Sequence, residues 1–149
     1  INVTSLVDLT RRLLPGMVAR KRGRVLNIGS TAGYQAGPFM ATYYASKAFV
    51  LSFTEALASE LRGTGVTATV SCPGPIATGF ASTAGNGTSR LFTQGGVAAA
   101  DDVAREAYAA MIAGRVSIIH TAKLRIGLTL AKLMPRSVAT GIARKLNLP

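Results

Sequence analysis

Tyr43-Tyr44-Ala45-Ser46-Lys47-Ala48 opens a run, residues 42 to 62, in which Val50, Phe53, Leu57 and Leu61 recur at three- and four-residue intervals, while Glu55, Glu60 and Arg62 fall where solvent is expected. That periodicity predicts an amphipathic helix. Gly63-Thr64-Gly65 supplies its stop. Residues four apart on a helix share a face, with β-carbons roughly 5 to 6 Å apart, so Tyr43 and Lys47 project to the same side. Tyr44 has Ala48 at that offset and gains no such partner.

A tyrosine and a lysine on one helix face can do chemistry. A phenol titrates near about 10, and drawing one down to about 7 takes roughly 4 kcal/mol of preference for the ionised form. An ammonium at about 4 Å, with an effective dielectric constant of about 20, supplies roughly that amount. Matching a proton donor to the working pH is worth about 10²- to 10⁴-fold in rate, here at a carbonyl or alcohol oxygen. The spacing alone is weak evidence, because it also describes an ordinary helix N-terminus with a solvated lysine.

The flanking segments sharpen it. Arg24 to Gly29, built around Val25, Leu26 and Ile28, reads as a short buried strand ending in Gly29-Ser30, and Ser30 lies 13 residues before Tyr43. Val66 to Cys72 reads as a second strand ending in Pro73-Gly74. Strand, helix, strand in that order predicts two parallel strands with a right-handed crossover. Ligands of open parallel sheets bind beyond the carboxyl ends of the strands, which is where Ser30 and Pro73-Gly74 fall and where the Tyr43 helix can return. The fold class predicted is α/β, a Rossmann-like three-layer parallel sheet.

Three motifs, Asn-Ile-Gly-Ser-Thr-Ala-Gly (27 to 33), Tyr-Tyr-Ala-Ser-Lys-Ala (43 to 48) and Cys-Pro-Gly-Pro-Ile-Ala-Thr (72 to 78), with Ile1-Asn2-Val3 ahead of them, stand in the order and spacing of a known family. The chain resembles the short-chain dehydrogenase/reductase superfamily, firmly from Asn2 to about Phe80 and more loosely beyond. The resemblance implies an oxidoreductase that moves a hydride between NAD or NADP and an alcohol or carbonyl substrate. It assigns Tyr43 as the proton donor or acceptor at the substrate oxygen and Ser30 as the group that hydrogen-bonds that oxygen. Lys47 would favour the ionised phenol and bind the nicotinamide ribose hydroxyls. Asn2 would anchor a water in the proton relay. Pro73, Gly74 and the backbone at Ile76 would border the nicotinamide, with Thr78 near its carboxamide or phosphates. The residue types suit these roles, since a serine hydroxyl both donates and accepts and Pro-Gly lets backbone approach a flat ring.

Members of that family carry, ahead of this region, a first strand, a glycine-rich turn over the cofactor pyrophosphate and a second strand whose end helps choose NAD or NADP. None of these is found in the 149 residues. Gly29, Gly33 and Gly37 have phosphate-loop spacing, but they follow the Ser30 strand instead of opening the fold, and the spacing is read as coincidental. The chain, starting at Ile1, is therefore read as the carboxyl-terminal catalytic portion of a longer protein. By itself it is expected to show negligible dehydrogenase activity. The Ser30 strand would lack a neighbour and present an edge open to pairing.

The remaining segments fit one domain, with a core over about 1 to 120 and a basic helical tail over 121 to 149. Residues 3 to 20 read as a helix with Leu6, Leu9, Leu13 and Met17 on one side. By the resemblance it packs against the Tyr43 helix and a second subunit, so a homo-oligomer through 3 to 20 and 42 to 62 is expected. Gly79 to Gly96, rich in Gly, Ser and Thr with Phe80, Leu91 and Phe92 interspersed, fits a substrate-covering loop or a plain connector. Asp101 and Asp102 suit the positive start of a helix running to Gly114, and Val116 to Ile119 reads as a short strand.

Charge is concentrated at the end. No acidic residue follows Glu106, while Arg115, Lys123, Arg125, Lys132, Arg136, Arg144 and Lys145 do, within a net charge of +11. Leu124, Leu128, Ala131 and Leu133 before Pro135, and Val138, Ile142 and Leu146 after it, predict two short amphipathic helices. Such a tail can lie on an anionic membrane surface, or close the substrate site or a subunit contact. The apolar runs are too short to span a bilayer. Nucleic acid is not an expected partner, because Tyr108 is the only aromatic residue after Phe92 and no stacking platform forms.

Cys72 is the only cysteine, so no internal disulfide is possible and a reducing compartment suits the chain. The cytoplasm is the expected location, with membrane association left open by the tail. Cys72 reads as a buried strand-end residue and His120, the only histidine, as structural; no Cys/His cluster suggests a metal. The alternative to an enzyme is a non-catalytic scaffold or membrane-surface binding protein that kept the residues without a cofactor site.

Overall fold

The computed structural model describes residues 2–76 and 98–148. Its centre is a parallel sheet whose strands, β1 (Gly23–Ile28), β2 (Val66–Cys72) and β3 (Ser117–Ile119), lie in that order. The register runs from Gly23 opposite Val66 to Ile28 opposite Ser71, and from Val70 opposite Ser117 to Cys72 opposite Ile119. β2 is central and buried on both faces, with Val66, Ala68, Val70 and Cys72 alternating with the small hydroxyl residues Thr67, Thr69 and Ser71.

Helices α1 (Thr4–Ala19) and α2 (Ala41–Glu60) cover one face and α3 (Ala100–Ile112) the other. Val50 and Leu51 of α2 meet Val70 and Cys72, and Leu57 and Leu61 meet Val66 and Ala68. Each of the larger aliphatic side chains so buried contributes about 1.5 to 3 kcal/mol relative to exposure. α3 starts with Asp101 and Asp102 in its first turn, where the helix dipole favours negative charge, and buries Val103, Ala107 and Ala110. The chain then turns at Gly114, whose φ of +66° lies in the left-handed region that favours glycine.

The inward stripe of α1 differs from the one its leucines predict. Leu6, Leu14 and Met17 pack on the core and Thr10 is buried, its hydroxyl donating to the Leu6 carbonyl (2.7 Å), while Leu9 and Leu13 are exposed. Two overlapping 3.6-residue stripes coexist here, and a threonine that bonds back to its own helix can occupy the buried one. Leu9 and Leu13 instead line a groove of about 450 Å³ between α1 and β1, whose edge residue Ile28 is 53% exposed.

A buried polar pair ties α2 to β1. Asn27 Nδ2 donates to Thr54 Oγ1 (2.9 Å), and Thr54 Oγ1 donates to the Val50 carbonyl (2.7 Å). Thr54→Val preserves shape but strands the Asn27 amide, which is expected to cost about 1 to 3 kcal/mol. Urea unfolding should show this as a lower midpoint at unchanged slope. An unchanged midpoint would mean that the amide finds another partner.

Beyond the sheet, α4 (Ala122–Leu133) and α5 (Arg136–Asn147) flank Pro135. Thr121 caps α4, its hydroxyl accepting from the Leu124 N–H at 3.2 Å. The two tail helices fall where the sequence places them. They do not leave the domain: α4 packs on the turn after β1 and on β3.

Candidate active site

The parallel ladder continues past the ends of β1 and β2. The Gly29 N–H donates to the Ser71 carbonyl (2.8 Å) and the Thr31 N–H to the Pro73 carbonyl (2.9 Å), which fixes Ser30 beside Pro73. Ser30 caps a 3₁₀ turn, Thr31–Tyr34, its hydroxyl oxygen accepting from the Ala32 N–H at 3.1 Å. The turn sits tightly on α2: a β-carbon on Gly33 would lie 2.7 Å from the Lys47 carbonyl oxygen, and one on Gly37 would run into the Tyr44 ring. Gly33 and Gly37 thus serve close packing, in agreement with the coincidental reading of their spacing.

Tyr43 and Lys47 project from the first turns of α2, with the Lys47 ammonium 5.8 Å from the centroid of the Tyr43 ring. Lys47 Nζ donates to the Ile28 carbonyl at 2.9 Å, so β1 anchors it at the sheet edge. Burial pushes the Lys47 ammonium below its ordinary value, opposed by Cys72, whose own thiol burial pushes upward despite hydrogen bonds from Tyr34 and the Ser30 backbone. Cys72 is fully buried, as a strand-end residue should be.

Asn2 precedes α1, and its Nδ2 donates to Ser46 Oγ (3.4 Å), which in turn donates to the Tyr43 carbonyl (2.8 Å). Asn2, Ser30, Tyr43, Lys47, Pro73, Gly74 and Ile76 all line one cavity of about 710 Å³. Ile76 also bridges to Ala98, whose N–H donates to the Pro75 carbonyl at 3.1 Å. Thr78 and the Gly79 to Gly96 segment lie outside the described residues.

The opposite wall comes from the tail. Leu124, Leu128, Ala131, Ile142 and Leu146, five of the residues whose periodicity predicts amphipathic helices, face this cavity, whereas Leu133 and Val138 are exposed. Met40, Gln35 and Met134 also line it, and no sequence pattern marks them. Tyr44 lines the same cavity beside Tyr43, but its hydroxyl is engaged: it donates to Asn147 Oδ1 (3.1 Å), and Asn147 Nδ2 donates to the Pro38 carbonyl (2.9 Å). Those bonds tie the end of α5 to the start of α2.

His120 joins Ser71 Oγ (2.8 Å) and Glu106 Oε2 (2.9 Å) in a chain that resembles a nucleophilic triad. Ser71 is fully buried and outside the cavity lining, so the chain is structural, as expected for a lone histidine after a strand. Among the described residues no group of His, Cys, Asp and Glu could hold a metal ion, and no helix is long and apolar enough to cross a membrane.

A family model described as short chain dehydrogenase matches residues 1–88. The chain belongs to the short-chain dehydrogenase family. The Rossmann-like parallel sheet agrees with that membership. A very-long-chain 3-oxoacyl-CoA reductase of Laccaria bicolor is 48% identical over 67 residues, covering 45% of this chain and 20% of that protein. Among solved structures, an actinorhodin polyketide ketoreductase with NADPH aligns at a TM-score of 0.71 and 29% identity, over 83% of this chain and 56% of the other. A 3-oxoacyl-[acyl-carrier protein] reductase from Brucella melitensis with bound NAD aligns at 0.64 and 26%, over 80% and 47%. The chain thus spans about half the length of these solved dehydrogenases, and a smaller share of the curated relative.

Proposed function

We propose that this chain carries the proton-transfer end of an oxidoreductase that interconverts a carbonyl compound and an alcohol with NAD or NADP. The observation that carries the proposal is the convergence of Ser30, Tyr43, Lys47 and Pro73-Gly74, from three separate segments, on one cavity. In reduction Tyr43 Oη gives its proton to the substrate oxygen, and in oxidation it takes one back. Ser30 Oγ already accepts from Ala32, which leaves its hydrogen to donate to the same oxygen and hold it in place. Lys47 places its ammonium 5.8 Å from the centre of the Tyr43 ring, on the same cavity.

The residues present suit a nicotinamide. Pro73, Gly74 and Pro75 line the cavity, with Leu124 packed over Gly74, and Lys47 places an ammonium donor on the same cavity for ribose hydroxyls. The nicotinamide, when bound, supplies or takes up the hydride. Asn2 shares the lining with Lys47, which supports a role in the proton relay.

Negligible turnover by these 149 residues alone belongs to the same proposal. Its support is the open β1 edge and the apolar groove beside it, together with the absence from the sequence of a glycine-rich turn between an opening strand and helix. Joining the chain to a family-type first strand, glycine-rich turn and following strands should restore reduction of ketones, followed as loss of NADH or NADPH absorbance. Equal turnover by the chain alone would contradict this. A homo-oligomer through α1 and α2 is part of the reading, as the family resemblance implies.

A further inference from the structure

We propose that the outward face of α4 docks on an anionic lipid bilayer, a role separate from the chemistry at Tyr43. α4 is apolar on two faces. Leu124, Leu128 and Ala131 turn to the cavity, while Ile126, Leu130 and Leu133, spaced four and three residues apart, form a second stripe that is 61%, 53% and 81% exposed. Single exposed leucines are common, but three aligned on one helix form a patch that marks an interaction site.

The charge around the stripe selects the occupant. Arg125 is exposed on the same helix, as is Lys123 at the cavity rim, Arg136 follows at the start of α5, and no acidic residue occurs after Glu106. A second copy meeting this face symmetrically would set these cations against their own equivalents, and Glu106, the carboxylate held near the start of α4, is already engaged by His120. A bilayer of anionic lipid offers an apolar layer for the stripe and negative headgroups for the flanking cations. The twelve residues of α4 extend about 18 Å, short of the roughly 30 Å hydrocarbon core, so the helix lies in the plane of the interface. Because its other face walls the cavity, a docked α4 would separate that cavity from lipid by one helix.

Co-sedimentation with vesicles tests this on the full chain. Vesicles of phosphatidylcholine mixed with phosphatidylserine should retain the protein, and phosphatidylcholine alone should retain far less. Ile126→Ser, Leu130→Ser and Leu133→Ser combined leave the net charge unchanged and should weaken binding at least about tenfold, while Leu9→Ser with Leu13→Ser on α1 should leave it as it was. Equal binding by the α4 variant would reduce the effect to charge alone and overturn the proposal, as would no binding to either vesicle. A solution dimer that the α4 variant dissociates would assign the face to a second copy and equally overturn it. The chain has no tryptophan, so Leu130→Trp, which keeps the face apolar, gives an independent reading. Its emission should shift to the blue on phosphatidylserine vesicles and be quenched by brominated lipid, and an unchanged spectrum would refute docking through this face.

Discussion

Tyr43→Phe, made in the chain joined to its cofactor-binding strands, is expected to lower turnover by about 10²- to 10⁴-fold, the range a general acid contributes. Cofactor affinity should hold, because only the hydroxyl leaves the cavity and Lys47 keeps its anchor on the Ile28 carbonyl. Tyr44→Phe is the matched control. It removes the hydrogen bond to Asn147 at a cost of about 1 to 2 kcal/mol in stability, and turnover should stay close to the parent. Steady-state kinetics with cofactor titration separate the two. Activity surviving in Tyr43→Phe would overturn the assignment of the proton-transfer group.

Lys47→Met should be nearly as damaging and should differ in kind. The methionine keeps the apolar stem and removes the ammonium, so both the positive charge beside Tyr43 and the donor for ribose hydroxyls disappear. Turnover is expected to fall by about 10²-fold or more, accompanied by weaker cofactor binding, a combination that Tyr43→Phe should not show. The Ile28 carbonyl loses one partner, worth about 1 kcal/mol. Thermal unfolding should therefore move little while kcat and the cofactor Kd both change. Full activity with a lowered melting temperature would instead make Lys47 a structural residue.

The sheet-edge site was legible because local chemistry and topology agree in it. β2 occupies the predicted residues 66 to 72, and α2 begins one residue earlier and ends two earlier than its periodicity predicts. A buried parallel strand and a stopped amphipathic helix each leave a local signature, and the crossover rule then brings Ser30, Tyr43 and Pro73 together. On α1, Leu6, Leu9, Leu13 and Met17 share one side, the groove beside β1, but the period alone does not say that Leu6 and Met17 also reach the core while Leu9 and Leu13 stay exposed. α4 hides its orientation for a related reason: apolar residues on both faces give no preferred side until packing supplies one. The bonds from Asn147 to Tyr44 and Pro38 join residues more than a hundred positions apart, beyond any local pattern. Ser71, His120 and Glu106, 49 and 14 positions apart, are likewise brought into line only by the stacking of α3 on the sheet.

Following a labelled hydride tests the central claim most directly. The chain joined to its cofactor-binding strands is given a ketone and reduced nicotinamide cofactor carrying deuterium at the transferable position, and the product alcohol is analysed by mass spectrometry. The account expects deuterium on the carbinol carbon with the parent protein and almost no alcohol with Tyr43→Phe. Alcohol formed without the label, or formed equally well by Tyr43→Phe, would contradict it.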